Sequence, residues 1–286
     1  FLKKYFPDTP KKRGMHIKTK PTSGGISFVL IYNAMAIYQG FYLPLLSIPL
    51  SIIGLIDDKY NIPRFIRLIT QISTLILVLV LFGNNTLNLF SEIIGSRSIT
   101  FLFLLFIGTS IINFINFMDG VDGLVCGTMI IVFLTINEGV HYLFPFIGAL
   151  SAFLIYNWQP AKLFMGDSGS LFIGSYLASL TLTATDEVIF CKNILLCSPL
   201  FFDCITTLIR RIKNKQNIFS PHKLHLYQRL VTSGMSHSKV SLIYISAVSF
   251  LGLLYTFSNF ETLIFGVCTI FLIGILLEKK YAVKLL

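Results

Sequence analysis

The chain is poor in charged residues, and above all in acidic ones. Charged side chains make up 13% of its 286 residues, against about 25% in a soluble domain, and only 13 residues are Asp or Glu. The hydrophobic share is 54%. These proportions exclude an ordinary soluble domain and indicate an integral membrane protein.

Two further features are missing: a cysteine spacing typical of metal or redox sites, and a signal peptide. The five cysteines have no Cys-X-X-Cys spacing and lie within or beside apolar runs, which favours small buried side chains over disulfides or metal ligands. The basic segment from Phe1 to Ser23 does not show the signal-peptide pattern, in which positive charge is followed by an apolar core and a small-residue cleavage site. Because the chain begins with Phe, we expect a further transmembrane helix upstream of it.

What the chain does have is a series of apolar runs. Each has roughly 15–20 residues, the length that spans a bilayer as a helix. The predicted fold is therefore all-α, a polytopic transmembrane helix bundle of about ten spans that forms a single membrane domain over residues 1–286. The runs lie at roughly 24–39, 42–56, 64–82, 99–117, 123–138, 140–156, 168–185, 188–210, 239–257 and 259–277.

The basic residues are distributed unevenly between the two ends of these runs. When the runs are threaded alternately through a membrane, all 23 Lys and Arg residues except Arg97 and Lys192 fall on the side of residues 1–23. This bias follows the positive-inside rule, so that side is cytoplasmic. The net charge of +10 therefore reports membrane orientation and not nucleic-acid binding. The basic loop 211–238 lies on the same side.

Five aspartates occur in three short glycine-marked motifs, all threaded to the cytoplasmic side. Carboxylates close together at a membrane surface repel each other unless a cation neutralises them, which indicates Mg²⁺ and phosphate chemistry. Each motif alone has a structural alternative: a polar helix end, a tight turn or a helix N-cap. The motifs are Gly54-Leu-Ile-Asp57-Asp58, Asn116-Phe-Met-Asp119-Gly-Val-Asp122-Gly123 and Phe164-Met-Gly-Asp167-Ser-Gly-Ser170.

Residues beside these aspartates extend the predicted site. Asn116, Asp119 and Asp122 are three apart, so on a helical turn they would share one face. Phe164, three residues before Asp167, is placed to stack on a base. The three motifs could therefore converge on one cytoplasmic cleft.

Two further polar features lie later in the chain. His222, His225 and Arg229 in the basic loop suit phosphate or pyrophosphate binding, or alternatively attraction to anionic lipid. Asp203 lies within an apolar run with Arg210 on roughly the same face. An acid in that position indicates either a functional group or a structural role, in an ion pair or an interhelical hydrogen bond.

Together, the three aspartate motifs and the histidine loop resemble the polyprenyl-phosphate N-acetylhexosamine-1-phosphate transferase superfamily. The resemblance extends from Asp8-Thr-Pro-Lys, Arg13-Gly-Met-His16 and Pro21-Thr-Ser-Gly-Gly25 through the histidine loop, and so covers most of the chain. It implies transfer of a sugar-1-phosphate from a UDP-N-acetylhexosamine to undecaprenyl phosphate, with release of UMP. The enzyme would lie in the bacterial inner membrane, with a cytoplasmic active site and a hydrophobic groove for the lipid tail.

The resemblance also implies catalytic roles for three aspartates. Asp167, with Asp122, would hold Mg²⁺, for which Mn²⁺ could substitute. Asp57 and Asp58 would act on the lipid phosphate, one of them as a base. Attack on the donor could be direct or could pass through a covalent aspartyl intermediate, and the sequence leaves both open.

The remaining motif residues would bind the donor. Asn116, Asp119 and Asp122 would line the nucleotide and metal pocket, and Phe164 would stack on uracil. The sugar-diphosphate would contact the loop residues His222, His225 and Arg229.

Departures from the family pattern bear on the sugar. A run of three consecutive histidines is absent, which argues against a UDP-MurNAc-pentapeptide donor, and the His-X-His-His pattern of UDP-GlcNAc enzymes is also missing. The loop resembles more closely the branch that starts O-antigen or capsule chains with other N-acetylated hexosamines. The UDP-GlcNAc and peptidoglycan-type reactions stay open as alternatives, as does a multi-pass transporter. A homodimer is compatible with the sequence but not required by it.

Overall fold

The structure is a computed structural model that describes residues 2–8, 19–137, 141–217, 220 and 222–283. Part of the N-terminal resemblance, including Arg13 and His16, lies outside the described residues. So does Pro221 of the histidine loop.

The described residues form an almost entirely helical fold, as the sequence predicts. One two-stranded antiparallel sheet is present, in which β1 (Pro7–Asp8) pairs with β2 (Lys20–Pro21). Short 3₁₀ helices lie at Leu43–Ser47 and His141–Leu143. The α-helices are α1 (Leu2–Tyr5), α2 (Gly25–Tyr38), α3 (Ile48–Tyr60), α4 (Arg64–Leu81), α5 (Asn84–Ile94), α6 (Arg97–Met118), α7 (Leu124–Ile136), α8 (Phe144–Asn157), α9 (Gly166–Leu182), α10 (Glu187–Leu196), α11 (Ser198–Lys213), α12 (Leu226–Thr232), α13 (His237–Phe257) and α14 (Phe260–Tyr281).

Every predicted apolar run contains helix, but about ten membrane spans are not established. Within the described residues, four helices are long and apolar enough to cross a membrane: α4, α6, α13 and α14. A fifth span results if α10 and α11, which meet at 72°, are counted together. The run at 42–56 shows why the numbers differ: its α-helix α3 has 13 residues, a length of about 20 Å against a hydrocarbon core of about 30 Å.

Helix α9 lies at the centre of the bundle and packs against α2, α3 and α6. Two glycines on its neighbours allow this close approach. A Cβ on Gly54 of α3 would lie 2.3 Å from the backbone oxygen of Asp167, and one on Gly25 of α2 would lie 2.3 Å from Gly169 Cα. Small residues at helix contacts let backbones meet in this way. The consequence is that the first turn of α9, which carries Asp167, lies against the end of α3, which carries Asp57 and Asp58.

Candidate active site

Asp58 and Asp167 are joined directly. Asp58 Oδ1 accepts the backbone N–H of Asp167 (2.9 Å), and its Oδ2 accepts the hydroxyl of Ser23 (2.7 Å). The first N–H groups of a helix have no partner within that helix. Asp58, from α3, therefore acts as a cap for α9.

Arg67 lies between two carboxylates. Its Nη1 donates to Asp57 Oδ2 (2.8 Å) and to Asp167 Oδ2 (2.6 Å). Asp57 also accepts the backbone N–H of Ile62 through Oδ1 (2.7 Å). This guanidinium therefore neutralises part of the charge on the two acids.

Asn116 joins the same cluster from α6. Its Nδ2 donates to Asp167 Oδ1 and to Ser170 Oγ, both at 2.9 Å. The structure therefore brings Asp57, Asp58, Asn116 and Asp167 together, as the threading of the motifs predicted. Four helices contribute: α3, α4, α6 and α9.

Asp119 follows the last residue of α6. Its carboxylate makes no hydrogen bond or ion pair with any described residue. Burial, together with the neighbouring charges of Asp167, Asp58 and Asp122, raises the pKa of Asp119 to about 8. Burial and the charge of Asp167 also raise the pKa of Asp57 to about 6 and of Asp58 to about 7. The cluster thus holds more negative charge than its neighbours neutralise.

Asp122 does have partners. Its Oδ2 accepts the backbone N–H of Ala161 (3.0 Å) and lies 3.8 Å from Lys20 Nζ. His237 Nδ1 lies 3.2 Å from Asp122 Oδ1. Burial alone would raise the pKa of Asp122, but His237, the Ala161 N–H and Lys20 outweigh it and hold this pKa below its usual value.

The expectation that Asn116, Asp119 and Asp122 share a helical face is wrong, because α6 ends at Met118. His237 was assigned no role from the sequence. It lies 115 residues from Asp122 in the chain, so no local pattern could have linked the two.

Phe164 lies beside the cluster in the segment before α9. Its backbone N–H donates to Pro21 O and its carbonyl accepts from Gly24, both at 2.9 Å. The ring is partly exposed, and Lys20 Nζ lies 5.0 Å from its centroid. The Pro21–Gly25 segment therefore positions an aromatic face and a cation close to Asp122.

The two loop histidines differ in exposure. Their ring centroids are 4.9 Å apart. His225 is buried, with Nδ1 3.4 Å from Asp203 Oδ1, whereas His222 is partly exposed. Burial, followed by the charges of His225 and Arg211, lowers the pKa of His222 to about 4. His222 is therefore the loop histidine that a ligand can reach directly.

Arg229, the third predicted loop residue, does not share the accessible position of His222. It is buried and donates to Glu278 and to the carbonyl of Val283. Arg210 also pairs with Glu278. Asp203 forms the other structural alternative, an interhelical hydrogen bond, which it accepts from the Tyr244 hydroxyl of α13. Both arginines tie the C-terminal end of α14 to the rest of the fold.

The carboxylate oxygens of this cluster fit a hard divalent cation whose remaining ligands come from substrate. Among the described residues, no three or more His, Cys, Asp or Glu side chains form a ready-made metal site. Mg²⁺, however, is commonly bound through one or two carboxylates plus substrate phosphates and water. The unpartnered carboxylate of Asp119, close to Asp167, supplies oxygen ligands and uncompensated charge of that kind.

An apolar groove lies between α11, α13 and α14. Its volume is about 770 Å³, and Phe202, Leu242, Ala247 and Phe271 are among the residues that line it. Arg210, Lys239 and Glu278 line its polar end. The expectation of a hydrophobic groove thus has a structural candidate.

The chain is similar in sequence to proteins that carry functional names. Residues 41–185 match the sequence model of glycosyl transferase family 4. The chain is 30% identical over 272 residues to a probable undecaprenyl-phosphate N-acetylglucosaminyl 1-phosphate transferase of Bacillus subtilis, covering 85% of this chain and 74% of that protein.

Two further relatives extend the similarity. An undecaprenyl-phosphate alpha-N-acetylglucosaminyl 1-phosphate transferase of Thermotoga maritima is 30% identical over 230 residues, 79% of this chain and 74% of that protein. A phospho-N-acetylmuramoyl-pentapeptide-transferase of Dictyoglomus thermophilum is 33% identical over 203 residues, 63% of this chain and 65% of that protein.

Proposed function

The chain belongs to glycosyl transferase family 4, and we propose that it transfers an N-acetylhexosamine-1-phosphate from a UDP-sugar to undecaprenyl phosphate, releasing UMP. The observation that carries this proposal is the convergence of Asp57, Asp58, Asn116 and Asp167, beside the unpartnered Asp119. The names of the relatives supply the polyprenyl phosphate acceptor and the amino-sugar class. The reaction would take place at the cytoplasmic face of a bacterial inner membrane and begin a lipid-linked polysaccharide.

The cluster's chemistry suits phosphoryl transfer, which needs positioning and charge neutralisation more than covalent help. Mg²⁺, or Mn²⁺ in its place, would supply positive charge on the diphosphate when bound. Asp167 would hold it from α9. Asp122, the second ligand predicted from the family pattern, is engaged by Ala161, His237 and Lys20, so we assign the second position to Asp119.

The two adjacent aspartates of α3 would have different tasks. Both oxygens of Asp58 accept hydrogen bonds from Ser23 and from the start of α9, which suits a positioning role. Among the described residues, Arg67 is the hydrogen-bond donor to Asp57 Oδ2, and the Asp167 carboxylate lies beside Asp57. We therefore propose Asp57 as the group that takes the acceptor's proton, with Arg67 close enough to orient the acceptor phosphate.

The donor's two ends would meet different parts of the site. The partly exposed Phe164 ring offers a stacking face for uracil, and Lys20 beside it offers a cation for phosphate. His222, the accessible loop histidine, would contact the sugar-diphosphate, with His225 behind it. The relatives' names favour N-acetylglucosamine, whereas the loop sequence favours another N-acetylated hexosamine of the O-antigen type, so both classes belong in the test.

The test is UMP release by the purified protein, supplied with undecaprenyl phosphate, Mg²⁺ and a panel of UDP-N-acetylhexosamines. We expect release with at least one sugar, and its loss on chelation or in Asp167→Asn. Asp186→Asn is the matched control, because Asp186 also lies at a helix start but caps α10. It should retain activity. UMP release by Asp167→Asn at the wild-type rate would remove the metal assignment. No release with any sugar would contradict the proposed function and favour a transporter.

A further inference from the structure

Asp203, which is buried inside the bundle, holds the histidine segment, residues 222–227. Its Oδ1 accepts the backbone N–H of Leu226 (2.7 Å), and its Oδ2 accepts the N–H of Tyr227 (3.1 Å) and the hydroxyl of Tyr244 (2.7 Å). A carboxylate on α11 thus holds the first turn of α12, satisfying N–H groups that the helix itself leaves unpaired. The position of α12, and of His225 directly before it, is therefore fixed relative to α11.

Tyr227 connects α12 to the aspartate turn, by which we mean residues 117–122. Its side chain is buried, and its hydroxyl donates to the carbonyl of Phe117 (2.9 Å). Phe117 lies in the last turn of α6, where carbonyls have no partner within the helix. Its carbonyl lies two residues before Asp119, the unpartnered carboxylate of the cluster. One hydroxyl thus connects the histidine segment to the backbone that carries Asp119.

Gly120 makes this contact possible. A Cβ at Gly120 would lie 2.3 Å from Tyr227 Oη, far inside van der Waals contact, and 3.2 Å from the two nearest ring carbons. Gly120 is not among the glycines with positive φ, in contrast to Gly123 in the same turn. The glycine at 120 is thus explained by the approach of the tyrosine hydroxyl and not by backbone conformation.

The other end of the same turn is held from α13. The hydroxyl of Ser241 donates to the carbonyl of Asp122 (2.8 Å), and the Asp122 N–H donates to His237 Nδ1 (3.3 Å). The backbone between Phe117 and Asp122 therefore has contacts at both ends with the stretch 227–241. Asp119 lies between these two contacts, and its carboxylate has no hydrogen-bond partner among the described residues.

We propose that Tyr227 is a positioning residue for the transferase reaction, because it sets the backbone of the aspartate turn relative to the histidine segment. The proposal rests on the proposed function for its catalytic consequence. Asp119 and His222, to which the proposed function gives the metal and the sugar-diphosphate, belong to segments that are joined through this hydroxyl. Misplacement by a fraction of an ångström lowers the rate of a positioned reaction while leaving ground-state binding largely intact.

The test is a double-mutant cycle of Tyr227→Phe and Gly120→Ala, measured as kcat and as KM for the UDP-sugar. Tyr227→Phe removes one hydrogen bond, and we expect kcat to fall about fivefold to tenfold with KM changed less than about twofold. Gly120→Ala alone should lower kcat further, because its methyl overlaps the hydroxyl. In the Tyr227→Phe background, the same alanine should cost much less, because only ring carbons remain near it.

Tyr255→Phe is the matched control. Tyr255 is a buried tyrosine on α13 whose hydroxyl donates to Asn193 (3.1 Å), away from the aspartate turn. It should lower the melting temperature about as much as Tyr227→Phe does while leaving kcat unchanged. Wild-type kcat in Tyr227→Phe, equal loss of kcat in Tyr255→Phe, or strictly additive effects in the cycle would each overturn the proposal.

The melting temperatures of the same four proteins, measured without substrate, separate this proposal from the proposed function. Coupling between positions 120 and 227 in the melting temperature, combined with no UMP release by the wild type, would leave the contact correct and the proposed function wrong. Absence of coupling in both measurements, in a wild type that does release UMP, would reject the positioning role alone.

Discussion

Asp119 and Asp122 are three residues apart, yet their surroundings differ in charge. Asp122 faces His237 and Lys20 and accepts the Ala161 N–H, so its ionised form is stabilised. Asp119 faces other acids, and its carboxylate has no partner among the described residues. A carboxylate in such a place destabilises the protein until a cation arrives.

This difference predicts opposite effects of two identical substitutions. Asp119→Asn removes repulsion, so without Mg²⁺ we expect its melting temperature to rise by roughly 2–4 °C, whereas Asp122→Asn removes attraction and should lower it by a similar amount. In the wild type, Mg²⁺ should raise the melting temperature, and Asp119→Asn should reduce that rise. Thermal unfolding with and without Mg²⁺ measures both effects. A lower melting temperature for metal-free Asp119→Asn would contradict this account of the charge.

Individual helices of this fold are completed by residues from other helices. Asp58, on α3, caps α9, and Asp203, on α11, caps α12. Asn116, on α6, holds the side chain of Asp167 in the first turn of α9. The candidate site is therefore built where helix ends meet, and its aspartates serve structure as well as chemistry.

The different tasks of Asp57 and Asp58 can be separated by measuring stability and activity together. Asp58→Asn places an amide N–H₂ group against donors at the start of α9, so we expect a melting temperature lower by roughly 2–4 °C as well as lost activity. Asp57→Asn retains an oxygen for the Ile62 N–H. It should keep a wild-type melting temperature while kcat falls about a hundredfold or more, as for loss of a general base. The reverse pattern would exchange the two assignments.

At the scale of elements, the features that depend on local sequence patterns were predicted correctly. Apolar runs of helical length became helices, and alternation of the runs placed the three aspartate motifs on one side, where the structure joins Asp58, Asn116 and Asp167. Contacts between distant residues were not predictable in this way. The approach of His237 to Asp122, the bridging by Arg67 and the capping by Asp58 depend on how the helices pack, and no periodicity carries that information.

The number of membrane spans could not be predicted from the sequence pattern either, for a related reason. Hydropathy measures how apolar a run is, but not where its helix breaks. Residues 188–210 read as one run, yet they form two helices that meet at 72° near Ser198 and Pro199. Similarly, residues 42–56 begin as a 3₁₀ helix that includes Pro44 before α3 starts. Proline at these breaks leaves carbonyls of the preceding turn without a donor, which favours a new helix direction.

At the scale of the whole molecule, the carboxylate cluster and the apolar groove lie on different helices. The cluster is built on α3, α4, α6 and α9, whereas the groove lies between α11, α13 and α14. Asp203 connects the two regions indirectly, because it lines the groove and also holds α12, whose Tyr227 reaches the aspartate turn.

We expect the groove to hold the tail of the polyprenyl acceptor, and Ala247→Trp tests this by filling it. Because the tail contributes apolar burial, KM for undecaprenyl phosphate should rise about tenfold or more, while KM for the UDP-sugar and for a short-chain prenyl phosphate should change little. Leu253→Trp is the control, since Leu253 lies on the same helix, is 60% exposed and does not line the groove. Equal KM values for the long-chain acceptor in Ala247→Trp and wild type would place the tail elsewhere. A parallel rise for the short-chain acceptor would indicate instead that the substitution displaces α13 and, with it, the contact of His237 with Asp122.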